Sequence, residues 1–167
     1  DVLGPSLGLS LGPNVYSGVP LAGQGEVALG GTIYAEGGSR VTDPAGIGFN
    51  PDLGITTRSL VEQVDRMLAD RPSLGENDLV ILWGGANDVF AQAGAVGGGL
   101  IAPQDAAGNM AQAATELVAL VDRVRDAGAE SVIVVTIPDI GSTPFGISSG
   151  PQGAGLQTAL TDAFNST

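Results

Sequence analysis

The chain has 167 residues, of which 43% are hydrophobic and 14% charged, and its net charge at pH 7 is −12. These values predict one domain with a sizeable core, and they disfavour nucleic acid and anionic membranes as partners because no basic surface is available. The sequence contains no cysteine and no histidine, which excludes disulfides, thiolate metal sites, cysteine nucleophiles and an imidazole base within these residues.

The first predicted elements are a short strand over 32–35, a long loop over 40–56 and a helix over 57–69. The loop is rich in glycine, proline and acidic residues, and we expect it to be solvated because it lacks the ligand spacing of a calcium-binding loop. The helix has its apolar residues on one face. Ser59 and Glu62 fit a capping box at its start.

Two continuous apolar runs predict strands over 79–83 and 131–136. Runs without charge are typical of strands buried on both faces of a parallel sheet, and we expect Trp83 in the core. Between them, residues 105–127 carry an apolar stripe at helical spacing. Strand, helix and strand in this order predict a βαβ unit. A last helix is predicted around 156–164.

Parallel sheets gather functional residues in the loops that follow the carboxyl ends of their strands. Three such loops are predicted, over 36–39, 84–88 and 138–141. Asn87 brings a neutral amide donor to its strand end, and Gly38 brings a backbone N–H that a ligand can approach closely. Two such donors can stabilise an oxyanion. The alternative interpretation is that both residues form ordinary turns.

Three ordered segments resemble sequence blocks of the SGNH (GDSL) hydrolases, and together they cover nearly the whole chain. Residues 83–88 resemble the G-x-N-D block, and residues 32–40 resemble the block N-Y-A-x-G-G-A-R. Residues 134–144 look like a loop of the secreted and autotransporter esterases of that family. The resemblance implies a flavodoxin-like α/β/α sandwich with a parallel sheet, here as a single, incomplete domain over residues 1–167.

The resemblance also implies a chemistry. In that family a serine attacks an ester carbonyl, and a histidine backed by an aspartate acts as the base. Carried over by residue, the oxyanion hole consists of the Gly38 N–H and the Asn87 side chain. The implied substrate is a small-molecule or lipid ester, and the mechanism needs no metal and no cofactor.

The sequence departs from the family pattern at two blocks. It has no G-D-S-L block for the serine and no D-x-x-H block for the Asp/His pair. We therefore expect these groups to come from missing N- and C-terminal parts of the same polypeptide, and the chain alone to be inactive. Residues 4–7 look like G-D-S-L with proline for aspartate, which makes Ser6 an alternative nucleophile. No buried strand precedes it, so a helix end over 2–11 fits better. The exchanges Ile33 for asparagine and Ser39 for alanine look tolerable.

The chain begins at Asp1 and shows no signal peptide, so we expect a processed protein or a piece of a longer one. The acidic, cysteine-free composition favours a secreted or cell-surface protein, such as an autotransporter passenger. Two alternatives to an ester hydrolase stay open. One is a non-catalytic relative that uses the cleft for binding. The other is an unrelated flavodoxin-like binding domain in which Gly38 and Asn87 only form turns.

Overall fold

The structure, a computed structural model, describes residues 3–6, 8–9, 11–16, 27–53, 55 and 57–167. The helices of this part of the chain are α1 (Leu3–Ser6), α2 (Leu60–Asp70), α3 (Ala86–Gly97), α4 (Pro103–Asp126), α5 (Pro144–Ser148) and α6 (Gly150–Asn165). The strands are β1 (Val15–Tyr16), β2 (Val27–Ala28), β3 (Leu79–Leu82) and β4 (Ser131–Val134). Short 3-10 turns cover Pro51–Leu53 and Ile140–Ser142.

Strands β3 and β4 form a parallel pair in which Leu79 lies opposite Ser131 and Leu82 opposite Val134. Because α4 lies between these strands along the chain, the predicted βαβ unit and the α/β fold class with a parallel sheet are confirmed. The short strands β1 and β2 form a separate antiparallel pair.

The core gathers between one face of the β3–β4 pair and helices α3, α4 and α6. The apolar stripe predicted on α4 is buried, with Met110, Leu117 and Leu120 at its centre. On the sheet side, Val80 and Leu82 face this core. Of the described helices, none is both long and apolar enough to cross a lipid bilayer.

Helix α2 begins where the sequence places its capping box. The Ser59 hydroxyl accepts a hydrogen bond from the Glu62 N–H at 3.3 Å, and the Glu62 carboxylate accepts one from the Ser59 N–H at 2.8 Å. These reciprocal bonds satisfy donors that the first helical turn leaves free. The helix therefore starts at Leu60 and not at residue 57 as predicted.

Two further predictions of secondary structure were wrong. Residues 84–88 were expected to form a loop, but α3 begins at Ala86 directly after a two-glycine turn. In the predicted strand over 32–35, only Ile33 makes a bridge, which is parallel to Pro13. Helix α5 was also not predicted.

The expectation that both strands are buried on both faces is wrong as well. Leu79 and Ile81 are 50% and 51% exposed, and Trp83 is 65% exposed although a core position was expected. Exposed and buried side chains alternate along β3, so Leu79 and Ile81 lie on the face of the sheet opposite to the buried Val80 and Leu82. On β4, Ile133 and Val134 are also 47% and 45% exposed.

Candidate active site

The turn after β3 needs glycine at position 85 for two reasons. Gly85 has a φ of +102°, which side-chain-bearing residues rarely adopt. A Cβ atom built on it would lie 2.4 Å from the ring of Phe164 in α6. This tight turn brings Asn87 and Asp88 into the first turn of α3, at the carboxyl end of β3.

Asn87 reaches across to the segment that contains Gly38. Its side-chain Nδ2 donates a hydrogen bond to the Ser39 carbonyl oxygen at 2.8 Å. The two predicted donor segments, 36–39 and 84–88, are therefore in direct contact. Within the described residues the hydrogen bonds of the Asn87 amide are limited to this one bond, and its second N–H has no acceptor there.

Gly38 lies in a turn that its own backbone requires. Its φ is +81°, and a Cβ atom would lie 2.1 Å from the carbonyl oxygen of Ile47. The Gly38 carbonyl also accepts a hydrogen bond from the Ile47 N–H at 2.8 Å. Conformation and close packing therefore explain the glycine at this position, where the approach of a ligand was expected as the reason. The Gly38 N–H has no acceptor among the described residues.

Asp88 connects α3 to the loop that follows Gly38. Its side chain is buried and accepts hydrogen bonds from the Val41 N–H at 3.0 Å and from Nε of Arg40 at 3.2 Å. Arg40 also pairs with Asp43. Burial raises the pKa of Asp88 above its ordinary value, although the Val41 N–H and the Arg40 guanidinium act in the opposite direction.

Helix α2 holds the same loop from its other side. The Leu60 N–H at the start of α2 donates to the Arg40 carbonyl at 3.0 Å. Near the start of α2, Nε2 of Gln63 donates to the Ser39 hydroxyl at 2.8 Å. Glu36 accepts a hydrogen bond from the Arg58 N–H at 3.0 Å. The segment around Gly38 is therefore fixed between two helices, which is what a preorganised donor site requires.

The third predicted loop, 138–141, packs against α6. Asp139 caps the 3-10 turn by accepting from the Gly141 N–H at 3.0 Å, and it accepts from the Thr158 hydroxyl at 2.7 Å. Hydrogen bonds from Ser142 and Thr158 lower the pKa of the Asp139 carboxyl, because they stabilise its charged form. These contacts give Asp139 a structural role in the loop.

The serines near the N-terminus and near the site differ in their surroundings. Ser6 is exposed and ends the helical turn α1, as expected for a helix end. Ser39 is buried, and its hydroxyl donates to the Glu36 carbonyl at 2.8 Å while it accepts from Gln63. Since the sequence has no histidine, neither serine has an imidazole base within these residues.

A sequence model of the GDSL-like lipase/acylhydrolase family matches residues 6–166, a range that includes Gly38, Asn87 and the loop 138–141. Comparisons with curated proteins and with solved structures give no match. The family match spans almost the whole chain, and its enzymes are acylhydrolases by description. The chain therefore belongs to the GDSL-like lipase/acylhydrolase family.

Proposed function

We propose that this chain supplies the oxyanion hole of a serine ester hydrolase, with the Gly38 N–H and the Asn87 amide as its two donors. Membership of an acylhydrolase family supports ester hydrolysis as the reaction class. The observation that carries the assignment of residues is the 2.8 Å hydrogen bond from Asn87 to the Ser39 carbonyl. This bond holds the amide next to the residue that follows Gly38.

The two donors suit the charge that develops during ester hydrolysis. A serine oxygen attacks the ester carbonyl carbon, the carbonyl oxygen becomes an oxyanion, and the alcohol leaves to give an acyl-enzyme. Water then attacks this ester, the acid is released and the serine is regenerated. Neutral N–H donors held about 2.7–3.1 Å from the oxyanion stabilise both tetrahedral states without an opposing charge.

The nucleophile and the Asp/His pair are proposed to come from other parts of the same polypeptide. The supporting fact is that the described site contains donors and no serine–histidine pair. The substrate is proposed to be a small-molecule or lipid ester. Secretion or display as an autotransporter passenger is part of the proposal and depends on the resemblance of residues 134–144.

The test is a substitution of Asn87 in the full-length encoded polypeptide, assayed on an activated short-chain ester. Asn87→Ala should lower kcat by roughly 10²–10³, the typical effect of losing one oxyanion donor, and should change KM less. Asn109→Ala is the matched control, because Asn109 is an exposed asparagine whose amide bonds only to Gln92 within the described residues.

An Asn87→Ala protein that folds like its parent and keeps the parent's kcat would remove Asn87 from the oxyanion hole. A full-length parent protein that folds but hydrolyses no ester in this assay would support a non-catalytic relative instead.

A further inference from the structure

Two aromatic rings meet on the side of the molecule that carries Asn87. The rings of Phe90 and Phe145 pack edge to face, with their centroids 5.1 Å apart and an angle of 79° between their planes. Phe90 belongs to α3, which follows β3, and Phe145 belongs to α5, which follows β4. The pair therefore joins the two segments that leave the carboxyl ends of the parallel strands, where α/β sheets bind their ligands.

Helix α3 places Phe90 next to Asn87. The two residues are three positions apart, so they are neighbours on one face of the helix, with about 5–6 Å between their Cβ atoms. Long side chains of a helix lean towards its N-terminus, so the Phe90 ring covers the turn that carries Asn87. Asp88 and Val89, which lie between them in the sequence, are buried. The half-buried Asn87 and Phe90 therefore share the accessible face of this part of α3.

The backbone of Phe145 is held in place although the residue is 59% exposed. At the start of α5, the Thr143 hydroxyl accepts from the Gly146 N–H at 3.1 Å and donates to the Ile140 carbonyl at 2.7 Å. A Cβ atom at Gly146 would lie 2.3 Å from that same carbonyl oxygen, so α5 packs directly on the preceding 3-10 turn. An exposed ring on an ordered backbone loses little conformational freedom when a ligand covers it.

We propose that Phe90 and Phe145 bind an uncharged, apolar substituent of the ester, and that they thereby favour esters with a bulky apolar group over acetate-sized esters. The proposal rests on the proposed function, because it takes the Asn87 amide as a donor to the ester carbonyl oxygen. An ester held in this way has its acyl and alcohol groups on the same carbonyl carbon. A substituent of a few carbon atoms spans the distance from there to the neighbouring Phe90 ring.

The chemistry of the two rings determines the kind of substituent. Covering the exposed part of Phe145 removes apolar surface from water, which favours an apolar group. A carboxylate or phosphate in the substituent would lose its hydration against the rings, and the net charge of −12 would repel it. Contacts with a non-reacting part of the substrate contribute to kcat/KM, so the pair should act on specificity.

The alternative is that the pair only fastens α5 to α3. Such a contact would stabilise the fold and would affect all esters alike. The edge-to-face contact leaves more than half of Phe145 uncovered, whereas a ring that serves packing alone is normally buried. The two functions therefore differ in one measurable quantity, the selectivity between esters.

The test compares matched esters with the full-length encoded polypeptide. The ratio of kcat/KM for 4-nitrophenyl hexanoate to that for 4-nitrophenyl acetate reports on the acyl group. The ratio for hexyl acetate to methyl acetate reports on the alcohol group. A variant that is merely less stable loses activity towards both esters of a couple equally, so its ratios stay the same.

Phe145→Ala should lower one of these ratios about tenfold, because the substituent loses its contact with the ring. The ratio that falls identifies the group of the ester that the pair binds, and Phe145→Leu should restore part of it. Ile147→Ala is the matched control. Ile147 lies on the same helix and is 65% exposed, but it is two positions from Phe145 and so faces elsewhere. It should leave both ratios unchanged.

A second measurement does not use hydrolysis. In protein that carries 4-fluorophenylalanine, the fluorine NMR signal that disappears in Phe145→Leu belongs to Phe145. The probe is 2-octanone, which keeps a carbonyl oxygen and an apolar chain but has no ester bond to hydrolyse. It should shift the Phe145 signal, whereas acetone at the same concentration should not.

Three outcomes would overturn the proposal. The first is an active Phe145→Ala protein in which both ratios equal those of the parent, which would leave the pair a structural role. The second is an equal loss of selectivity in Ile147→Ala. The third is a Phe145 signal that 2-octanone and acetone shift alike. A parent protein that hydrolyses neither ester would contradict the proposed function, and the NMR titration would still decide whether the two rings bind an apolar group.

Discussion

The carboxylate of Asp88 accepts a hydrogen bond from the N–H of Val41, a residue 47 positions earlier in the chain, at 3.0 Å. Asp88 lies in the first turn of α3, and Val41 follows the segment of Gly38. The bond therefore connects the start of α3, which carries Asn87, to the segment that carries Gly38. It is buried, and the guanidinium of Arg40 shares the same carboxylate.

Removal of this carboxylate should destabilise the protein strongly. Asp88→Ala leaves the Val41 N–H and the Arg40 guanidinium without their buried acceptor, which should lower the free energy of unfolding by about 3 kcal/mol. Urea denaturation followed by circular dichroism measures the change. Asp65→Ala is the control, because Asp65 pairs with Arg123 on the surface and should contribute less than about 1 kcal/mol. Equal effects of the two substitutions would contradict the assigned role of Asp88.

The stability of the protein should also depend on pH through Asp88. Burial raises its pKa in the folded state above the ordinary value of 3.8, so the folded state binds this proton more tightly than the unfolded state does. The contribution of Asp88 is therefore fully favourable below the unfolded pKa and is lost as pH rises through the folded pKa. Relative to Asp88→Asn, the parent should lose stability as pH increases above 3.8. The unfolding midpoints of the parent and of Asp88→Asn, measured across this pH range, give the difference in stability. A parent that gains stability relative to Asp88→Asn as pH rises would show that folding lowers the pKa of Asp88.

Substitution of Gly85 should be costly, and a neighbouring glycine provides a matched comparison. Gly85→Ala combines a φ of +102° with a Cβ only 2.4 Å from the Phe164 ring, and we expect a loss of about 2 kcal/mol. Gly94→Ala, within α3 and with open space around its Cβ, should instead stabilise the protein by about 0.5–1 kcal/mol. Thermal unfolding distinguishes the two. A Gly85→Ala protein as stable as its parent would mean that the turn rearranges without cost.

Asn87→Asp should be at least as harmful to catalysis as Asn87→Ala. The carboxylate would repel a developing oxyanion, and its oxygen would face the Ser39 carbonyl, which now accepts from the Asn87 amide. In the full-length polypeptide we expect kcat to fall by roughly 10²–10³ or more. Retention of kcat in this variant, with a normal unfolding midpoint, would be incompatible with a donor role for Asn87.

The 167-residue chain alone should not turn over an activated ester at an enzymatic rate of about 1 per second or more. The reason is that the sequence offers no histidine to activate a serine. Release of product is measured for the chain, for a blank that contains no protein and for the Ser6→Ala variant. Turnover that Ser6→Ala abolishes would identify Ser6 as a nucleophile and would contradict the proposed division of the active site.

Local signals in the sequence predicted the parts of the fold that depend on neighbouring residues. The capping box of Ser59 and Glu62 is encoded within four positions, and the parallel pairing of β3 with β4 follows from two apolar runs around a helical stripe. The contact between segments 36–39 and 84–88 was predicted from parallel strands that share one edge of a sheet, and it exists although segment 32–35 makes only an isolated bridge at Ile33 and does not join the β3–β4 pair.

Other features carry no such signal. Helix α3 is rich in alanine and glycine and has no side-chain cap, so neither periodicity nor a start signal marks it. The exposure of Trp83 depends on what covers β3, which its own sequence does not encode. One of the two partners of Asp88 is the Val41 backbone N–H, and a backbone group has no residue type by which a sequence could reveal it.

Several hydrogen bonds anchor main-chain groups of the segment between Gly38 and Thr57. Asp88 binds an N–H at Val41, Asn87 binds the carbonyl of Ser39, and the Thr57 hydroxyl accepts from the Gly46 N–H at 2.8 Å. Main-chain groups are the same for every residue except proline, so changes of exposed side chains in this stretch should be tolerated, whereas Gly38 with its φ of +81° and the fully buried Val41 should tolerate few changes. Insertion or deletion of one residue would instead shift every anchored group to a wrong neighbour. We therefore expect the length of this segment to be more constrained than the identity of its exposed residues.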